Sequence, residues 1–106
     1  MILGKAKMLV IFVDEADLQD KTPLYELIVR KLVKLGVDGA TIQAGMLGFG
    51  NHHGFHRTHL FDNVPGNDRP ITIMVADSEE KLRKVIPEIK PMLKEGLMIM
   101  IDAEIL

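Results

Sequence analysis

The 106-residue sequence predicts an α+β domain in which two helices cover one face of a four-stranded antiparallel sheet. Three observations carry that prediction. Apolar runs rich in β-branched and aromatic residues mark four strands, amphipathic stretches mark two helices, and each helix is followed by a glycine and a new strand. The order is strand, helix, strand, strand, helix, strand. Two such halves with right-handed crossovers give the ferredoxin-like βαββαβ arrangement.

The first strand is Met8-Leu9-Val10-Ile11-Phe12-Val13, apolar on both alternating faces. Thr22 followed by Pro23 reads as an N-cap with proline at the first helical position. Leu24, Leu27, Ile28, Leu32 and Leu35 then recur at helical spacing until Gly36 stops the helix. Ala40 to Leu47 reads as the second strand and Pro70 to Ala76 as the third, with a long polar stretch between them. Asp77 or Ser78, with Glu79 and Glu80, opens a second helix whose apolar face is Leu82, Val85, Ile86 and Ile89. Pro87 should kink it or end it early, since an internal proline costs roughly 3 kcal/mol, and Pro91 marks its latest end. After Gly96, the run LMIMIDAEIL is the last strand.

Composition bounds the rest. The length fits a single domain, 1–106, and 47% apolar with 26% charged residues predicts a globular chain. Thirteen Lys and Arg are interleaved with fifteen Asp and Glu, for a net charge of −2, so no basic stripe exists for nucleic acid. The absence of cysteine removes disulfides, thiolate metal sites and thiol catalysis, and fits the cytoplasm. The run Met8–Val13, ended by Asp14 and Glu15, is too short for a signal sequence or membrane insertion.

Two helices cover one sheet face, yet the first strand carries Leu9, Ile11 and Val13 on one side and Met8, Val10 and Phe12 on the other. The last strand repeats this with Ile99 and Ile101 opposite Met98 and Met100. The uncovered face is therefore an apolar patch of a kind that monomers rarely expose, and a homo-oligomer is expected.

Residues 45–59, GMLGFGNHHGFHRTH, hold four of the nine glycines and all four histidines. They do not fit GxxxxGK[ST], so a kinase-type phosphate loop is excluded. Gly48-Phe49-Gly50 at a strand end can turn successive N–H groups into an anion-accepting nest, with His52, His53, His56 and Arg57 close by as donors. Solvent exposure, phosphate contact and metal ligation all remain open for the histidines on spacing alone. Catalysis has little support: the only serine, Ser78, is placed as a cap, and Asp14, Glu15, Asp17 and Asp20 read as a solvated acidic start to the first helix.

The run GVDGATIQAGMLGFGNHHG, residues 36–54, resembles the PII signalling proteins, which show a Gly-x-x-Gly-x-Thr segment, a strand and then Gly-Phe-Gly-x-x-x-Gly. TIMVADSEE resembles their third strand and following helix start, and Glu95-Gly96 lies where they carry a phosphate-binding turn. The short length, GFG followed by histidines, Pro70 before the third strand and EGL before the fourth are most similar to the PII-like family called domain of unknown function 190.

The resemblance implies a homotrimer whose sheets meet at the three-fold axis, with an adenine nucleotide, ATP or ADP, in clefts between neighbours. It implies regulation rather than enzymatic chemistry. The nucleotide would select a conformation of a mobile loop, about residues 48–69, that engages an enzyme or transporter as protein target. By motif, Gly39 and Thr41 match the adenine lining, Thr72 and Met74 the strand flanking the base, Gly48 and Gly50 the loop start beside the phosphates, and Gly96 the turn before the last strand. This chain has Asn51-His52-His53 where PII has Arg-Gln-Lys, so the glutamine that helps hold magnesium is missing. One extra residue between Gly39 and Gly48 suggests a bulge or register change in the second strand. The phosphate turn is reduced to Lys94-Glu95-Gly96, which leaves His52, His53, His56, Arg57 and Lys94 as substitute donors. The alternative reading is a metal-binding protein resembling CutA, which shares the trimeric architecture and would use His52, His53, His56 and His59.

Overall fold

A computed structural model describes residues 2–48 and 69–106 of the chain. Its first strand, β1 (Gly4–Asp14), extends the Met8–Val13 run at both ends. A small hairpin of β2 (Leu18–Gln19) and β3 (Thr22–Pro23) leads into α1 (Leu24–Lys34). After it come β4 (Thr41–Ala44), β5 (Pro70–Asp77), α2 (Glu79–Ile89), a 3₁₀ turn at Lys90–Met92, and β6 (Leu97–Ile105). The sheet order is β4-β5-β1-β6 and every neighbouring pair is antiparallel. This is the ferredoxin-like topology the sequence predicts, with both crossovers made by helices.

The core lies between the helices and one sheet face. Leu9, Ile11 and Val13 from β1, Ile71, Ile73 and Val75 from β5, Leu24, Ile28 and Leu32 from α1, and Leu82, Val85 and Ile89 from α2 form one buried cluster. Met98 and Met100 of β6 pack against its edge. Among the described residues no helix is long and apolar enough to cross a membrane.

Helix boundaries follow local chemistry. At the end of α1, Gly36 takes φ of 81°, its N–H donates to the Val33 carbonyl, and the Val37 N–H donates to the Leu32 carbonyl. That paired pattern is a Schellman stop, open to glycine because its φ is positive. Ser78 caps α2, its Oγ accepting from the Lys81 N–H at 3.1 Å. Buried Asp77 accepts from the Ser78 N–H at 2.7 Å and the Asp38 N–H at 3.4 Å, with Lys81 Nζ at 3.5 Å, tying the end of β5 to the loop after α1.

Five expectations need correction. Thr22 does not cap α1, and Pro23 stands ahead of the helix rather than in it. Asp20 and Lys21 both take positive φ, 51° and 68°, which closes a tight hairpin of the primed type and draws Thr22 into a strand pair with Gln19. The first helical N–H, on Leu24, donates instead to the Asp17 carbonyl at 2.8 Å. The acidic run is likewise no helix start. Asp14 Oδ1 accepts from the Ala16 N–H and Asp17 Oδ2 from the Asp14 N–H, so these carboxylates hold the turn after β1.

Pro87 does not interrupt α2, which continues to Ile89 before tightening into the 3₁₀ turn that contains Pro91. The second strand is half as long as expected. It ends at Ala44 because the Gly45 N–H donates to the Pro70 carbonyl at 2.7 Å and Pro70 has no N–H to continue the ladder. Its pairing with β5 runs in unbroken register, so the extra residue between Gly39 and Gly48 makes no bulge there and is accommodated outside the ladder.

Candidate functional site

Antiparallel register fixes which side chains share the uncovered face. Residues directly opposite one another in neighbouring strands point to the same side, and alternate residues point away. With Ile71, Ile73 and Val75 committed to the core, Thr72, Met74 and Ala76 face outward from β5. Across the sheet this gives one row of Gln43, Thr72, Phe12 and Leu97, and a second of Thr41, Met74, Val10 and Ile99. A third holds Ala76, Met8 and Ile101.

The rows run from polar at β4 to apolar at β6, and none carries a charge. Phe12, on the central strand β1, is 38% exposed, and Leu97, Ile99 and Ile101, on the edge strand β6 beside it, are 57%, 40% and 41% exposed. The open face is thus two surfaces in one: an uncharged polar strip of Thr41, Gln43 and Thr72 around the Met74 thioether, and a broad aliphatic field on β1 and β6.

One end of the sheet gathers the strand termini that lead into loops. Here β4 ends, β5 begins at Pro70, β1 ends at Asp14 and β6 begins at Leu97. A Cβ on Gly45 would lie 2.8 Å from Pro70 Cγ, and one on Gly96 would lie 2.8 Å from the Phe12 carbonyl oxygen, so both positions are sterically reserved for glycine. Arg69, immediately before β5, makes a two-pronged bond to Glu15: Nε donates to Oε1 at 3.0 Å and Nη2 to Oε2 at 2.8 Å. The Glu15 N–H donates to the Arg69 carbonyl at 2.9 Å. The guanidinium hydrogen bonds hold the Glu15 carboxyl below the ordinary glutamate range.

Thr41, Thr72 and Met74 come together on the open face, Thr41 and Met74 as direct register partners. Gly48 stands close to Pro70 at the loop end of β4. Gly39 precedes the other end of β4, and a Cβ there would meet nothing within 4 Å. Lys94, exposed in the bend before β6, and Gly96 stand at the same sheet end as Gly48 but on the opposite edge. Three inter-strand steps separate β4 from β6, roughly 14 Å. A single protomer does not unite them.

Phe49, Gly50, His52, His53, His56, His59 and Arg57, and most of the segment 48–69, lie outside the described residues. Among the described residues no three His, Asp, Glu or Cys side chains are grouped to hold a metal ion. Two features escaped the sequence reading. Gln43 belongs to no motif, and only the β4–β5 register shows that it shares a face with Thr41 and Thr72. The Glu15–Arg69 clamp joins residues 54 positions apart, and its only signal in sequence was an arginine beside the proline that opens a strand.

Comparison with known proteins agrees with the fold. A UPF0166 protein from Methanocaldococcus jannaschii is 31% identical over 104 residues, 95% of this chain and 92% of that one. A UPF0166 protein from Aquifex aeolicus is 28% identical over 106 residues, all of this chain and 98% of the other. Among solved structures, CPII from Thiomonas intermedia K12, a nitrogen regulatory PII-like protein bound to ADP, AMP and bicarbonate, superposes with a TM-score of 0.73 at 26% identity. The match covers 98% of this chain and 91% of CPII. The model of the DUF190 family, described as Uncharacterized ACR, COG1993, matches residues 6–105. With nearly the whole chain matched, and the fold shared with a PII-like regulator, this protein belongs to the DUF190 family.

Proposed function

We propose that this chain is a PII-like regulatory protein that binds an adenine nucleotide, ADP or ATP, in clefts between copies of itself. It acts on a protein target through the segment that follows β4. The observation that carries the reading is the division of the open sheet face into an aliphatic field and an uncharged polar strip. The aliphatic field is the surface a second copy covers: several hundred Å² of apolar area at about 25 cal/mol per Å² stabilises association by several kcal/mol before entropic costs. The polar strip suits the base of a nucleotide.

The chain's own geometry supports a site shared between subunits. Gly48 on the β4 edge and Lys94 with Gly96 on the β6 edge are the described positions that match phosphate-side elements, and they are three strands apart within one protomer. A neighbouring copy brings one edge against the other, and a closed three-fold ring repeats that junction without leaving an open end. Gly39 fits as well, since nothing within its own protomer demands glycine there. The crystallisation of CPII with ADP and AMP supports the choice of ligand. Regulation then follows as a population shift: a nucleotide that binds one arrangement of the segment after β4 more tightly favours that arrangement for the target.

The test combines calorimetry and mass. Titration with ADP, ATP and AMP, with and without magnesium, should give saturable binding near one nucleotide per chain, and light scattering should report three times the 11.9 kDa chain mass. A protein that remains a single chain at micromolar concentration and releases no heat with any of the three nucleotides would overturn the proposal.

A further inference from the structure

We infer that Gln43 reads the edge of the bound base and is the principal determinant of adenine selectivity; the inference rests on the nucleotide reading above and deepens it. β4 turns only two strand residues toward the open face, Thr41 and Gln43, and Gln43 is that face's sole carboxamide among the described residues. Its register partner is Thr72, and Met74 is the diagonal neighbour on the same strand. Gln43 is exposed, whereas Thr72 and Met74 are half-buried. The result is a strip of two hydroxyls and a thioether with an exposed amide beside them.

The chemistry of that strip selects what it holds. It carries no charge, so it offers no ion pair to phosphate and suits a neutral planar group. A thioether gives a polarisable surface for an aromatic ring, and Phe12, next to Thr72 in the same row, adds an aromatic one. A carboxamide supplies a donor and an acceptor side by side, the complement of the acceptor and donor that adenine presents along one edge. The base N6 amino group donates to Gln43 Oε1, and Gln43 Nε2 donates to a ring nitrogen. The Thr72 hydroxyl, opposite Gln43, is in place to fix the amide's orientation.

Position along the strand agrees. Gln43 stands two residues, about 7 Å, before Gly45 and the loop end of the sheet. A base lying over Met74 and Thr72 therefore directs its ribose and phosphates toward Gly48 at the loop end of the sheet.

A protein-by-ligand double-mutant cycle tests this, using wild type and Gln43→Ala against ADP and purine riboside diphosphate, the same nucleotide with hydrogen in place of the 6-amino group. Wild type should bind ADP roughly 5-fold or more tightly than the analogue. Gln43→Ala should lose that preference, with a loss of ADP affinity at least about 5-fold greater than its loss toward the analogue. Retained analogue binding shows that the variant's site is folded, and Gln43→Leu repeats the test with the β4 surface still covered. Equal losses for both ligands, or a wild type indifferent to the amino group, would overturn the role of Gln43 while leaving nucleotide binding intact. Absence of any nucleotide binding by wild type would overturn both.

Discussion

The two faces of the central sheet are made from similar residues and meet different fates. Along β1, Ile11 on the helix side is 0% exposed, and its neighbour Phe12 on the other side is 38% exposed. On β5, Ile71, Ile73 and Val75 are sealed beneath the helices, and Thr72 and Met74 between them look outward. Local sequence does not tell these faces apart on β1, where both are apolar. What separates them is how much surface two 11-residue helices can reach. Under the function proposed above, residual hydrophobicity on a strand already paired on both sides serves assembly, while the interspersed polar residues Thr41, Gln43 and Thr72 serve the ligand.

The most damaging way to probe the contrast is to remove volume from each face in turn. Ile73→Ala empties the centre of the covered face and should cost about 2–5 kcal/mol of unfolding free energy in a denaturant titration at fixed protein concentration. Ile99→Lys on the open face should leave the helical circular dichroism of the chain intact and instead shift its mass in light scattering toward 11.9 kDa. If Ile99→Lys unfolds the chain as thoroughly as Ile73→Ala does, the two faces are not distinct in the way argued.

Glycines sharpen the same comparison at smaller amplitude. Gly96 answers to its own protomer: an added methyl collides with the Phe12 carbonyl oxygen and also lies 3.1 Å from Val13 Cγ1. Gly96→Ala should therefore destabilise by about 1–3 kcal/mol as overpacking. Gly39→Ala meets open space, so its thermal midpoint should stay close to wild type, and any effect should be in ligand titrations.

The smallest expected effect is electrostatic. With its folded-state pKa depressed by Arg69, Glu15 contributes stability that is present above the ordinary glutamate value of about 4.3 and is lost as pH falls through the lower folded value. Glu15→Gln should lower stability slightly at neutral pH and converge with wild type once the pH falls below the folded-state value, so that the acid limb of the profile is flatter; the difference is small because the pair is partly exposed.

Sequence and structure agree wherever a signal is local. Ser78 ahead of two glutamates and Gly36 after a helical period each state their role within a few residues, and both act as read. The failures come from competition with distant or unusual partners. Thr22-Pro23 is a good helix opening, but Asp20 and Lys21 reach positive φ and make a hairpin of the same residues. Met46 and Leu47 continue the pattern of a strand, yet Pro70 ends the ladder from the other side, and only the pairing reveals it. The site divides along the same line. Motif resemblance proposes Thr41, Thr72 and Met74, and the register shows only that they share a face; the position of Gln43 and the Glu15–Arg69 clamp depend on register and on contacts between residues far apart in sequence.

Placing β4 and β6 at opposite margins of one sheet has a thermodynamic consequence. In the proposed assembly a ligand that touches both margins bridges two chains, so its uptake and the closure of the proposed ring draw on one shared equilibrium. Diluting the protein should then weaken apparent nucleotide affinity, and saturating nucleotide should hold the ring together at dilutions where the empty protein falls apart.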